Sequence, residues 1–530
     1  MSTKRILVAG HLAPEGIARL EAEGFRVDVA AESDAAGLAR LVPGYHGLVA
    51  GPSVGVPSDV IRAADLLEVI GRTGARVDDI DLRAATARGI IVTDAPQSDR
   101  VSAAEVVLAA LLACAHEIVR THRALGAPTA ASSPLLPGVE VRGKTLGLIG
   151  LDDAAPLVAE AAQALGMRVI AWDPGQPVKG LEPLLQRFEE LADVCREADF
   201  ISVHLAELPE YAGLVGEAEF AVMKPGVRLI SAFSRSVVDD AAWARAIRSG
   251  AVAGSAVVAG PEADRAADPL AGFDGVILVD RAAAQTLDAQ VRAAETVVGQ
   301  VAAALRGELV RNAVNVPAAL DDEAEELMPY VGLCAQLGSL VVQLADGPLE
   351  SIDVLYGGSF AYYDTRILSL GILQGALERR AEGTVNLVNA QVLADAAGLS
   401  ITETSDPAAS DFPRLVSVLA RGAWGEVSVT GTSLGPEHKP RLVEVFGDAI
   451  DIGPAPRMLF LRYEDLPGVG GRLGTMLGEW GVNIGNMSVG RGAVERHAVM
   501  ALTLDQPLTD EQLSELVEHC GLDAGKSVEF

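Results

Sequence analysis

The chain has 530 residues, and its formal net charge of −30 comes from 72 acidic and 42 basic residues. A surface this acidic repels phosphate groups, which argues against nucleic acids and anionic membrane surfaces as partners. The length predicts about three or four domains, and 49% hydrophobic residues with only 4% aromatics predict cores of Ala, Val, Leu and Ile.

The four cysteines are widely spaced and form no C-x-x-C pair: Cys114, Cys195, Cys334 and Cys520. Unpaired thiols are typical of a reducing compartment, and the chain begins in a strand pattern without a signal peptide. No continuous apolar run reaches the roughly 18 residues of a membrane span. We therefore expect a cytoplasmic protein, and no residue spacing suggests a metal site.

Apolar runs alternate with helical patterns over residues 1–100, which predicts parallel strands covered by helices on both faces. Residues 102–115 (SAAEVVLAALLACA) predict a helix that is apolar all round and therefore buried, between two domains. Strand and helix patterns continue to residue 285, and the helix that follows is expected to return the chain to the first domain.

The segment Lys144–Pro174 predicts a strand, a tight turn, a helix and a second strand, which is the βαβ unit of a dinucleotide-binding domain. Its turn departs from the fingerprint G-x-G-x-x-G, because the three glycine positions hold Gly150, Asp152 and Ala155. Asp173 stands at the end of the second strand, where an acid binds the ribose. An ordinary turn residue is the alternative interpretation of Asp173.

Ordered pieces of the sequence resemble the long form of D-3-phosphoglycerate dehydrogenase, in the D-isomer-specific 2-hydroxyacid dehydrogenase family. They include IGRTGARVDDIDLRAATARGIIV, SVHLAELPEYAGLV, MKPGV, GELVRNAVNV and YEDLPGVGGRLGTMLGEWGVNI. The resemblance implies an α/β fold with two doubly wound Rossmann-like domains, a split substrate domain (1–100 and 286–318) and a nucleotide-binding-type domain (101–285). An α+β intervening domain (319–453) and a ferredoxin-like ACT domain (454–530) are expected to follow.

The family transfers hydride from a 2-hydroxy acid to NAD; a His takes the hydroxyl proton, a Glu supports the imidazole and an Arg clamps the substrate carboxylate. Matched to the family motifs, these Arg, Glu and His positions hold Ser234, Pro261 and Arg281. A guanidinium stays protonated near neutral pH and cannot act as the base. Arg235 and Glu262, each one residue further on, are the possible substitutes.

Acidic residues also replace the family pattern around the cofactor. Asp152 and Asp153 stand where the backbone approaches the pyrophosphate, so we expect NAD binding to be weak or absent. Arg72 and Gly74 match the family's anion-binding loop. Arg72 is expected to bind a phosphate or carboxylate or, alternatively, to form a structural salt bridge.

Tyr463, Asp465 and Asn483 match the family's ACT signature, in which an Asp and an Asn hold serine across a domain interface. Their alternative role is to maintain the turn and helix start of that domain. The resemblance therefore implies L-serine as an effector and a homo-oligomer, or a hetero-oligomer with a competent paralogue.

Three hypotheses remain open at this point. The first is a catalytically inactive family member that acts as a serine-binding or regulatory partner. The second is an active NAD-dependent oxidoreductase on 3-phosphoglycerate or another 2-hydroxy acid, using substitute residues. The third is a scaffold whose remaining role is structural.

Overall fold

Within the described residues, the computed structural model contains four β-sheets in succession, each with its own helices. The described residues are 3–30, 34–74, 77–126, 137–175, 181, 183–259, 268–308, 310–316, 321–381, 383–408, 412–435, 437–491 and 497–530. The predicted fold class is confirmed, with two Rossmann-like domains, an added intervening domain and a C-terminal sheet.

The first sheet is parallel and has the strand order β2-β1-β3-β4-β5. Its strands are β1 (Arg5–Ala9), β2 (Arg26–Ala30), β3 (Gly47–Ala50), β4 (Val69–Arg72) and β5 (Ile91–Thr93). Its helices are α1 (Pro14–Ala22), α2 (Ala35–Leu41), α3 (Ser58–Ala63) and α4 (Leu82–Ala87). Every residue of β3 and β4 is buried, because helices cover both faces of the sheet.

The second sheet is also parallel, in the order β12-β11-β10-β9-β6-β7-β8. Its strands are β6 (Thr145–Ile149), β7 (Arg168–Trp172), β8 (Gln186–Arg187), β9 (Phe200–Val203), β10 (Val227–Ser231), β11 (Val252–Val258) and β12 (Val276–Val279). Its helices are α5 (Arg100–Ala115), α6 (Ile118–Gly126), α7 (Ala155–Ala164), α8 (Leu191–Glu197), α9 (Glu217–Val222) and α10 (Asp240–Arg248). The strand order reverses at β6, and open parallel sheets bind ligands at the carboxyl ends of such strands.

Two helices connect the first two domains. The predicted apolar helix is α5, which packs on α7, β10 and β11 of the second domain. A later helix, α11 (Leu287–Arg306), packs on α1, β3 and β4, so the chain returns to the first domain as predicted. Gly71 in β4 permits this close packing, since a Cβ there would lie 2.5 Å from the side chain of Val297. The Ser102 and Thr286 hydroxyls, 2.8 Å apart, join the starts of α5 and α11.

The third sheet has the order β14-β13-β15-β16-β17-β18 and is antiparallel except for the pair β13 and β14. Its strands are β13 (Ser351–Gly358), β14 (Ser400–Asp406), β15 (Arg414–Gly422), β16 (Gly425–Leu434), β17 (Lys439–Val445) and β18 (Asp448–Ile452). Its helices are α12 (Asp321–Leu344), α13 (Arg366–Leu377) and α14 (Ala390–Ala396). The part of α12 from Glu326 to Leu344 is long and apolar enough to cross a membrane, but it packs on α13, β15 and β16 as a core helix.

The fourth sheet is antiparallel and has the order β20-β21-β19-β22. Its elements are β19 (Arg457–Glu464), α15 (Val469–Glu479), β20 (Ile484–Arg491), β21 (His497–Leu504), α16 (Asp510–Cys520) and β22 (Ala524–Glu529). This is the predicted β-α-β-β-α-β order of a ferredoxin-like domain. The helices cover one face, and the other face contributes Phe460 and Val499 to the core of the third domain.

Candidate functional site

A cleft of about 540 Å³ lies between the first two domains, at the carboxyl ends of their strands. The predicted site residues that line this cleft are Arg72, Gly74, Asp152 and Arg281. Residues from chain segments that are far apart in sequence therefore share one site. Asp153, Asp99 and Arg100 also line it, so the cleft contains both signs of charge.

The first glycine of the phosphate turn is required by the backbone. Gly150 has φ of +90°, and a Cβ there would lie 2.6 Å from the carbonyl carbon of His204. Because only glycine adopts this conformation without strain and avoids this contact, the βαβ frame retains the first position of the fingerprint.

Asp152 binds the amino end of α7 with its own side chain. Its Oδ1 accepts hydrogen bonds from the backbone N–H groups of Ala154 (3.0 Å) and Ala155 (2.9 Å). In a dinucleotide-binding domain the pyrophosphate lies at this helix end, where N–H groups and the helix dipole favour negative charge. The carboxylate of Asp152 therefore occupies two N–H donors at the helix end where a dinucleotide-binding domain holds its pyrophosphate.

His204 holds the Asp152 carboxylate from the neighbouring strand. Nδ1 of this buried ring lies 2.9 Å from Oδ1 of Asp152, and Nε2 lies 2.9 Å from Oγ of Ser202. Desolvation alone raises the pKa of Asp152, but His204 and the two N–H groups together bring it below its usual value. Asp152 is therefore ionised at neutral pH.

His204 is a site residue that the sequence motifs did not indicate. The available signal was its position directly after β9, because β9 pairs with β6 and their carboxyl ends lie side by side. A polar side chain there must lie beside the phosphate turn.

Asp173 lies beside Gly150, as the sequence predicts, and both of its carboxylate oxygens bind backbone. Oδ2 accepts from the N–H of Leu151 at 2.9 Å, and Oδ1 accepts from the N–H of Gly175 at 2.8 Å. These contacts match the role of a turn residue that stabilises the strand end, which was the alternative interpretation.

Contacts between polar side chains cross the cleft and join its two domains. Nε2 of Gln97 donates to Oδ1 of Asp153 at 3.2 Å, and Nε2 of Gln285 donates to Oδ2 of Asp99 at 3.2 Å. Burial raises the pKa of Asp99, which lies at the start of α5. Among the described residues, no three His, Cys, Asp or Glu side chains come together as metal ligands.

Arg72 is buried at the carboxyl end of β4 and is already paired. Its guanidinium donates to the carbonyl oxygens of Gly51 and Val54, the latter at 2.9 Å, and to the carboxylate of Asp79. Burial lowers the pKa of Arg72, although the Asp79 carboxylate opposes the shift. Of the two predicted roles, the structural salt bridge is the one formed by these contacts.

Arg281 is likewise paired, within the second domain. Its guanidinium donates to the carboxylate of Glu207, which also accepts from the N–H of Ser236 at 3.1 Å. The residue at the family's His position is thus a cation bound to an acid of the second domain. A guanidinium has no lone pair to accept a proton, so Arg281 itself cannot act as the base.

Two further candidate catalytic residues, Ser234 and Arg235, do not line the cleft. Arg235 donates to Asp268 with both Nη atoms, at 2.6 and 2.8 Å, and to Asp240 at 2.8 Å, away from the cleft. The expected substitute for the family's Arg is therefore held in a structural ion-pair network. Ser234 is buried, and its carbonyl oxygen accepts from Ser231 at 2.9 Å.

The remaining two positions, Pro261 and Glu262, lie outside the described residues.

The predicted effector residues lie at two ends of the fourth sheet. Tyr463 is buried at one end, where Asp465 forms an ion pair with Arg491 at 2.9 Å. Asn483 precedes β20 at the other end, and its N–H donates to Asp505 at 2.9 Å. Tyr463 pairs with Ala498 of β21, and Ile484, next to Asn483, pairs with Leu504 of the same strand. These two β21 residues are six positions apart, which corresponds to about 20 Å along a strand. One copy of the chain does not bring Asn483 and Asp465 together.

Comparison with known proteins agrees with this architecture. The family description "D-isomer specific 2-hydroxyacid dehydrogenase, NAD binding domain" matches residues 108–280. The description "D-3-phosphoglycerate dehydrogenase intervening domain" matches residues 326–446. The solved structure of the TT0316 protein from Thermus thermophilus is 29% identical, with a TM-score of 0.51, and covers 58% of this chain and 99% of that chain. The first two domains have the 2-hydroxyacid dehydrogenase fold.

Relatives named D-3-phosphoglycerate dehydrogenase match nearly the full length. The Synechocystis sp. protein is 34% identical, over 98% of this chain and 93% of the relative. The Mycobacterium leprae protein is 35% identical, over 97% of this chain and 96% of the relative. This chain belongs to the D-3-phosphoglycerate dehydrogenase family.

The Asp152→Ala variant is expected to be less stable than the parent protein near neutral pH, because the backbone N–H groups of Ala154 and Ala155 lose their hydrogen bonds to the carboxylate, and one such bond contributes about 1 kcal/mol. The pKa of Asp152 in the folded protein lies below the usual value of an aspartate. The ionised carboxylate therefore stabilises the fold fully at pH values above the usual pKa, and this stabilisation is lost as the pH falls through the pKa of the folded state. Urea unfolding of both proteins between about pH 7 and about pH 3 measures this difference.

Asp153→Ala is the matched control, since the side-chain bond described for Asp153 is the one to Gln97, at the surface of the cleft. It is expected to cost less stability at neutral pH. A gap between Asp152→Ala and the parent that stays constant down to the lowest pH would contradict the assignment.

Proposed function

We propose that this protein does not carry out the family's hydride transfer and acts instead as a serine-binding, regulatory member of the serine pathway. The observation that carries the proposal is the Asp152 carboxylate, which accepts from the first N–H groups of α7. The residues at the three family positions for chemistry, Ser234, Pro261 and Arg281, support it.

The phosphate turn does not fit NAD, the cofactor of the family. A phosphate oxygen about 4 Å from a carboxylate costs about 4 kcal/mol at an effective dielectric constant of about 20, or roughly three orders of magnitude in affinity. Asp173 does not compensate, because both of its oxygens already accept backbone N–H groups. In this proposal NAD binding is weak or absent.

The regulatory role rests on the fourth sheet as an ACT domain. Asp465 suits the ammonium of L-serine and Asn483 its carboxylate, because an acid accepts and an amide donates. Since these residues lie at opposite ends of one sheet, a serine site needs two copies of the domain. A homo-oligomer provides this arrangement, and a hetero-oligomer with a competent paralogue would allow the protein to regulate that enzyme.

The family's dehydrogenase activity on 3-phosphoglycerate or another 2-hydroxy acid is the second candidate. Full-length similarity to proteins named D-3-phosphoglycerate dehydrogenase favours it. It requires a base other than Arg281, and Glu262 is the carboxylate nearest in sequence to the family's Glu position.

The Asp152→Gly variant is expected to bind NADH at least about tenfold more tightly than the parent protein, because the substitution frees the N–H groups of α7 and removes a negative charge. The parent is expected to show no saturable change in NADH fluorescence in the micromolar range. A fluorescence titration of both proteins measures the difference.

Asp153→Gly is the control that separates two causes, since it removes a charge from the same turn but leaves Asp152 bound to α7. An equal gain in both variants would show that general repulsion, and not occupation of the N–H groups, limits binding. Micromolar binding by the parent protein would refute the proposed loss of the cofactor.

L-serine is expected to raise the melting temperature by a few degrees at a large excess over its Kd, because a ligand that binds only the folded state stabilises it. Asn483→Ala should abolish this rise. Asn486→Ala is the matched control, an exposed asparagine close by in β20, and should retain it. A parent protein whose melting temperature does not respond to serine would refute the effector role.

A further inference from the structure

A second cavity, of about 320 Å³, lies at the opposite end of the second sheet from the cleft. Its residues lie at the amino ends of the strands, where Lys144 precedes β6, Asp199 precedes β9, and Lys224 and Arg228 flank the start of β10. A five-residue parallel strand spans roughly 17 Å, so this cavity is separate from the candidate cofactor site.

The cavity has an excess of positive charge in a strongly acidic protein. It is lined by three cations, Lys144, Lys224 and Arg228, and by one acid, Asp199, which gives a formal charge of +2. Two of the few lysines in the sequence lie here. Such a concentration of cations, in a chain with a net charge of −30, indicates an anion as the ligand.

Both carboxylate oxygens of the acid that lines the cavity, Asp199, already accept hydrogen bonds. Oδ1 of Asp199 accepts from Nζ of Lys224 at 3.1 Å, and Oδ2 accepts from the N–H of Thr145 at 2.9 Å. Asp199 therefore balances the charge of Lys224. Two positive charges remain, those of Lys144 and Arg228.

Arg228 is only 8% exposed, and the hydrogen bonds of its guanidinium go to backbone carbonyls. Nε donates to Cys114 at 3.3 Å, Nη1 donates to Gly226 at 3.2 Å, and the guanidinium lies 5.5 Å from the ring centroid of Phe200. Among the described residues, the ion pair at this cavity is that of Lys224 with Asp199, and neither Arg228 nor Lys144 takes part in it. A buried cation whose hydrogen bonds go only to backbone carbonyls is costly, and a bound anion offsets that cost.

We propose that this cavity binds a small dianionic oxyanion, either inorganic phosphate or the phosphate group of a small monoester. Its two negative charges match the two cations that Asp199 does not balance. Lys144 and Arg228 donate charge-assisted hydrogen bonds to the oxyanion, and Lys224 adds positive potential at the rim. The proposal is independent of the proposed function, since no residue of the cleft or of the fourth sheet takes part.

Isothermal titration calorimetry of the full chain with inorganic phosphate, at an ionic strength held constant with NaCl, should show saturable binding. Lys144→Gln should weaken it about tenfold, because one charge-assisted hydrogen bond is lost, whereas Lys144→Arg should retain it. Lys526→Gln is the matched control; this lysine bonds Asp346 next to the fourth sheet, so its loss should leave phosphate binding unchanged.

A titration with glycerol 3-phosphate distinguishes the two sources of the anion. Tighter binding than that of inorganic phosphate would identify a monoester, and weaker binding would identify the free ion. No saturable heat with either anion would overturn the proposal. So would binding that survives Lys144→Gln and is lost in Arg100→Gln, because Arg100 lines the cleft and not this cavity.

Discussion

The hydrogen bonds between the Asp152 carboxylate and the first N–H groups of α7 bring a negative charge to the amino end of that helix. A helix that starts after a glycine turn presents these donors to an anion, and the Rossmann fold normally presents them to a pyrophosphate. Here the anion is part of the chain, and His204 holds it in place. The Asp152 carboxylate thus gives the amino end of α7 the kind of negative charge that a bound pyrophosphate would provide.

Two cations that line the cleft also form ion pairs with acidic side chains of the same chain. Asp79 pairs with the buried Arg72, and Glu207 pairs with Arg281. Each acid comes from the same chain as its cation, so the positive charges of Arg72 and Arg281 are balanced within the protein. Together with the contacts of Asp152, these pairs are the basis of the proposal that the protein does not carry out the family's hydride transfer.

The frame of the site could be predicted from the sequence, because buried strands and a glycine turn are local patterns. The turn is followed by the helix α7 and then by the strand β7, in the predicted order. The partners could not be predicted, since His204 lies 52 residues from Asp152 and Glu207 lies 74 residues from Arg281. The sequence motifs indicate which residue types stand at the site, but which of these side chains lie in contact depends on the order of the strands in the sheet.

The central claim, that the family's hydride transfer is lost, is tested most directly by NADH formation from NAD and 3-phosphoglycerate, measured at high enzyme concentration. We predict no NADH absorbance above the rate without enzyme, in the presence or absence of serine, because Asp152 occupies N–H groups at the amino end of α7 and Arg281 cannot take the proton. Sustained turnover that depends on substrate and increases with enzyme concentration would contradict this claim.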